Sequence, residues 1–265
     1  MARGEVWNPE LRGAEYKPAL TVRSFGSRGK SSRIDGHTTG RVHHLLSTTE
    51  LSAFYLYDWI PQIRDIREQY ALDFDETQAI ADDLGIRHIA DRSTGKPFVV
   101  TSDFVLTREC GSGTEVELVR SCKQSADLGR ISVLKKLEIE RCYWRNCGVE
   151  WRLVTELDLP SALIRNLEWI HPYYHPASVP VSADHIEHLT VNLHARLCAK
   201  PGESLVSICT DLDKHVGLEA GAHLSLVRHA LARRHWTVDL KMEIKPSQPL
   251  IFCDAATEPV ESQQC

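Results

Sequence analysis

The chain has 265 residues, 42% of them hydrophobic, with a net charge of −5, enough for one large or two modest domains with cores of their own. It carries no apolar run long enough to cross a bilayer and no secretory pattern in residues 1–9, so a membrane role is excluded and the bacterial cytosol is the expected location. The net acidity excludes an indiscriminate nucleic-acid binder held by bulk charge, and the eight cysteines are scattered without a CxxC pair, which argues for reduced thiols and against a structural zinc site.

Any nucleic-acid contact must then rest on local patches. Residues 21–49 hold Arg23, Arg28, Lys30, Arg33 and Arg41 against the single acid Asp35, interleaved with glycine and serine. Residues 1–46 are accordingly expected to be a basic arm. Flexible entry segment and phosphate-binding arm share this composition, and both readings stand.

The first predicted helix opens at Ser47, where Ser47-Thr48-Thr49-Glu50 has the form of a capping box leading into Leu51, Phe54, Tyr55 and Trp59, and it ends before Pro61. A strand is expected over 62–72 and a short helix over 76–85. Strands over 98–106 and 114–123 follow, joined by Cys110-Gly111-Ser112-Gly113 into a hairpin. A helix over 127–146 and a strand over 149–154 complete a predicted α/β domain of mixed sheet and flanking helices spanning 47–159. After Pro160 the pattern turns helical, with stretches at 161–169, 183–198, 203–216 and 219–234. Alternation at Val238, Leu240, Met242 and Ile244, then a turn into 250–253, predicts a terminal hairpin. Helices followed by one hairpin make 160–254 winged-helix-like, with 255–265 a frayed tail.

The chemistry gathers on the predicted hairpin. Asp103 sits on one strand and Lys123 at the end of its partner, with Glu50 on the earlier helix. Phosphodiester hydrolysis needs a hard cation and carboxylates to hold it, which Glu50 and Asp103 supply. Lys123 suits holding the attacking water and offsetting charge on the phosphate. Val133, Leu137, Glu140 and Trp144 share one helical face, so Glu140 points inward, where a carboxylate needs a partner or a metal, while Glu138 looks elsewhere. Taken singly, each residue also has an ordinary structural explanation: Glu50 as the capping carboxylate, Asp103 and Lys123 as strand-end charges, Glu140 as an inward residue paired to Arg141.

Taken together, the stretches Gly40-Arg41-Val42-His43-His44-Leu45-Leu46-Ser47-Thr48-Thr49-Glu50, Ile66-Arg67-Glu68-Gln69, Val100-Thr101-Ser102-Asp103-Phe104, Lys123 and Leu137-Glu138-Ile139-Glu140-Arg141-Cys142-Tyr143-Trp144 resemble the TnsA endonuclease family. That resemblance implies a restriction-endonuclease-like fold of the PD-(D/E)XK type. It implies Glu50, Asp103 and Lys123 as the catalytic triad, Glu140 as an acid of the same site, and the Cys122 carbonyl beside the metal. The cofactor it implies is magnesium, with manganese able to substitute. Its partners would be transposon-end DNA, the TnsB transposase and the ATP-dependent regulator TnsC, the last through the C-terminal domain. The sequence departs from the family at Ser121, where a longer polar acceptor is usual.

Candidate phosphate contacts are Arg28, Lys30, Arg33 and Arg41 on the arm and Arg228, Arg233 and Arg234 on the last helix, where a winged helix would carry its recognition helix. The expected function is metal-dependent hydrolysis of one strand at the 5′ ends of a transposon. The alternatives are a winged-helix DNA-binding regulator on a degenerate nuclease scaffold, and a standalone repair nuclease that needs no partner.

Overall fold

A computed structural model describes residues 7–24, 30–90 and 98–253; Arg28 and the 255–265 tail lie outside the described residues. The chain divides into two compact units, Met1–Leu159 and Pro160–Cys265.

In the first unit, β1 (Ser32–Asp35) and β2 (Val42–Leu45) form an antiparallel pair, followed by α1 (Thr48–Trp59), β3 (Ile63–Ala71), α2 (Phe74–Asp83), β4 (Thr101–Cys110), β5 (Thr114–Cys122), α3 (Ile131–Asn146) and β6 (Glu150–Val154). The larger sheet runs β3-β4-β5-β6, with β5 and β6 parallel and the other pairs antiparallel. A parallel pair needs a crossover, and α3 supplies it. Leu72, Val100, Val105, Val119 and Trp144 pack together with Tyr70, Tyr143 and Trp151 against them, so Trp144, on the inner face that the spacing marks, helps hold α3 to the sheet. The helix starts later than its apolar pattern suggests because residues 125–129 form a 3-10 turn ending at Gly129, a poor helix former.

The expected basic arm is corrected: residues 32–45 are a hairpin built into the first unit. His43 is fully buried against the Phe54 ring, with centroids 4.6 Å apart. Gly36 makes this possible, since a Cβ there would lie 2.6 Å from the His43 ring.

The second unit contains α4 (Ser161–Ile170), α5 (Ala183–Ala199), α6 (Leu205–Val216) and α7 (Ala222–Ala232). The expected terminal hairpin is corrected to a single bridge between Val238 and Phe252. Its backbone groups are engaged elsewhere. The Asn166 amide donates to the Leu240 and Met242 carbonyls and accepts from the Ile244 N–H. The Pro246 and Gln248 carbonyls accept from the Val206 and Leu205 N–H groups at the start of α6, which have no partner within the helix. With those groups committed, a ladder cannot form. Helix α7 is buried along most of its length, including Leu226, Val227, Ala230 and Leu231.

No helix among the described residues is long and apolar enough to cross a membrane. The described cysteines are free thiols.

Candidate active site

Glu50 sits in the first turn of α1. The Ser47 side chain accepts from the Glu50 N–H, as an N-cap should. The carboxylate does not complete an ordinary capping box. One oxygen accepts from Ser47 Oγ at 2.9 Å, and the other accepts from the Leu46 N–H at 2.8 Å and from Gln69 Nε2 at 3.2 Å. Capping and site chemistry therefore use one side chain.

Asp103 and Lys123 meet where the β4–β5 hairpin opens. Asp103 Oδ2 accepts from the Cys122 N–H at 2.7 Å and from Lys123 Nζ at 2.8 Å, and Lys123 Nζ also donates to the Cys122 carbonyl at 2.6 Å. Glu140, 1% exposed, projects from α3 and accepts from Ser121 Oγ, whose oxygen in turn accepts from Trp151 Nε1 at 3.1 Å. Glu138 pairs outward with Arg141 instead.

The electrostatics describe one cluster. Burial, and next Asp103, push Glu50 up to about 7. Burial would raise Asp103 as well, but Lys123 and Lys136 hold it below the usual aspartate range. Glu140 is raised by burial and then by Asp103. Burial disfavours the Lys123 ammonium, yet Asp103, Glu140 and Glu50 more than offset this and raise its pKa. Two buried carboxylates and a main-chain carbonyl are hard oxygen donors, the set that suits magnesium or manganese. The Lys123 ammonium already bridges the Asp103 carboxylate and the Cys122 carbonyl, which marks both as cation-binding groups. The donor set fits a divalent cation.

The four residues expected on chemical grounds are thus brought together, and Ser121 has a defined task as the donor to Glu140. Sequence reasoning assigned no task to Gln69, Thr101 or Trp151. The Thr101 hydroxyl donates to Gln69 Oε1 at 3.2 Å. A buried Gln in a strand otherwise read as alternating was the signal available.

The expected phosphate contacts fare unevenly. Lys30 and Arg33 are exposed. Arg41 is corrected: its side chain is 8% exposed, paired with the buried Glu68 and stacked over the Tyr16 ring at 5.0 Å, because a guanidinium inside the fold needs a carboxylate more than a solvated phosphate. Arg228 is also turned to an internal task, 4.6 Å from the Trp169 and Tyr173 ring centroids and donating to the Tyr173 hydroxyl. Arg233 is exposed and lies 4.6 Å above the Tyr174 ring, while Arg234 is half-buried with a left-handed backbone.

Comparison with known proteins gives this geometry a family. Residues 60–156 match the TnsA-like endonuclease N terminal family, and residues 158–240 match TnsA endonuclease C terminal. Asp103, Lys123 and Glu140 fall inside the first stretch, and Glu50 lies just ahead of it. The chain is 36% identical over 216 residues to the Transposon Tn7 transposition protein TnsA of Escherichia coli, an alignment covering 82% of this chain and 76% of that protein. Both units match in order and the identity extends across most of the chain, so the chain belongs to the TnsA endonuclease family.

Proposed function

We propose that this transposon-end endonuclease hydrolyses one DNA strand at the 5′ ends of its element, with a divalent cation, magnesium or manganese in its place, held by Glu50, Asp103 and the Cys122 carbonyl. The carrying observation is the convergence of Lys123 on Asp103 and the Cys122 carbonyl beside a Glu50 whose carboxyl Asp103 perturbs. When bound, the cation would polarise the scissile phosphate and lower the pKa of water.

The chain's own residues supply the rest. Lys123 stays protonated at neutral pH and offsets negative charge developing on the phosphate. Glu140, fixed by Ser121, adds a third carboxylate behind Asp103, and Lys136 partly offsets the charge of both. A degenerate scaffold is not favoured, because a non-catalytic sheet has no need to keep three buried carboxylates interacting through Asp103, with a lysine paired to that residue.

TnsB and TnsC are the proposed protein partners, TnsC through the second unit. A winged-helix-like use of that unit would present α7 to a DNA groove, and the burial of α7 along most of its length disfavours that use. Lys30 and Arg33 remain the proposed phosphate contacts of the first unit.

The test is strand-resolved cleavage of end-containing DNA, with TnsB and TnsC present, comparing wild type with Asp103→Ala. Loss of the 5′ cut alone is expected. An unchanged pattern of cuts would sink the proposal.

A further inference from the structure

Gln69 lies in β3, 2% exposed, with φ at +50°. A long L side chain enters the left-handed region only where its surroundings hold it there. The Gln69 carbonyl accepts from the Ala19 N–H at 3.1 Å, Oε1 accepts from the Thr101 hydroxyl at 3.2 Å, and Nε2 donates to Glu50 at 3.2 Å.

Successive strand side chains ordinarily point to opposite faces. Glu68 nevertheless bonds His43 of β2 while Gln69 bonds Glu50 of α1, so the left-handed residue directs two consecutive side chains to adjoining elements. In the β3–β4 register Glu68 faces Phe104 and Tyr70 faces Ser102, which sets Gln69 opposite Asp103.

We propose that Gln69 is a positioning residue of the metal centre: its amide, braced by Thr101, holds the Glu50 carboxylate where Glu50 and Asp103 share one divalent cation. This rests on the metal-dependent reading of the site. Leu46 and Ser47, the other donors to Glu50, belong to its own helix turn. Gln69 belongs to the sheet that carries Asp103, so it transmits the frame of one ligand to the other. Partners of this kind orient metal ligands, and their loss weakens metal binding about 10–100-fold.

The experiment is calorimetric titration of the full chain with Mn2+, alongside thermal unfolding, for wild type, Gln69→Met, Gln69→Gly and Asp103→Asn. Glycine suits the left-handed backbone, so Gln69→Gly separates fold from positioning even where Gln69→Met fails to fold. Gln69→Gly is expected to keep its melting temperature within a few degrees yet bind Mn2+ about 10–100-fold more weakly. Wild-type affinity in Gln69→Gly, with binding lost in Asp103→Asn, overturns the role of Gln69 while leaving the metal centre standing. Binding unaffected by Asp103→Asn, or absent from wild type, overturns the metal-dependent reading and the role of Gln69 with it.

Discussion

Lys123 Nζ lies 2.8 Å from Asp103 Oδ2 and is 21% exposed at its side chain, against 8% for Asp103, so the lysine is the member of the pair that a substrate phosphate can reach. Lys123→Met should lower single-turnover cleavage by about two to three orders of magnitude, the usual cost of removing one donor to a developing oxyanion. Lys123→Arg should not restore the rate, since a planar guanidinium cannot occupy the point position between Asp103 and the Cys122 carbonyl. Gel-resolved single-turnover rates decide this, and full activity in the arginine variant would refute it.

The raised Glu50 carboxyl gives a pH dependence with a definite sign. Its folded value of about 7 lies above the ordinary glutamate value of 4.5, so its contribution to stability is fully present below pH 4.5 and is lost as pH rises through about 7. The metal-free protein should therefore lose melting temperature between these values. Glu50→Gln should flatten that part of the profile, and Mg2+ added near pH 7.5 should raise the wild-type melting temperature. Scanning calorimetry across this range is the check.

Glu68 behaves in the opposite sense. Burial would raise its carboxyl, but the His43 and Arg41 side chains hold it down to about 2. Its contribution is present above pH 4.5 and is lost as pH falls through about 2. Replacing Glu68 with Ala leaves Arg41 buried without its carboxylate, at a cost of about 3–5 kcal/mol. Arg41→Ala should likewise destabilise the fold before it affects DNA binding, which urea denaturation and a DNA-binding titration would separate.

Gly36→Ala probes the same hub sterically. The added Cβ would meet the His43 Cδ2 and Nε2 atoms at 2.6 Å, and the ring, fixed by Glu68 and Thr39, has no solvent side to move into. A loss of about 1–3 kcal/mol is expected, measured by denaturant unfolding; an unchanged midpoint would mean that the β1–β2 loop yields instead.

Sequence alone determined the parts of this protein that follow from local periodicity and local chemistry. The Ser47 cap, the hairpin around Gly111, the inward face of α3 with Glu140 on it, and the change to helices after Pro160 all depend on residues close in the chain, whose spacing carries their geometry. The types of residue needed for phosphodiester chemistry were equally legible at Glu50, Asp103 and Lys123. Only the tertiary structure decided how polar groups are shared among elements distant in sequence. Arg41 and Arg228 look like phosphate contacts in composition, yet burial commits them to Glu68 and to Trp169 and Tyr173. The alternation after residue 237 suits a strand, but Asn166 and the start of α6 take the backbone groups that a ladder would use. Ser121 acquires Glu140 and Gln69 acquires Glu50 across 19 positions each, and no local pattern encodes a hydrogen bond whose partner is supplied by the fold.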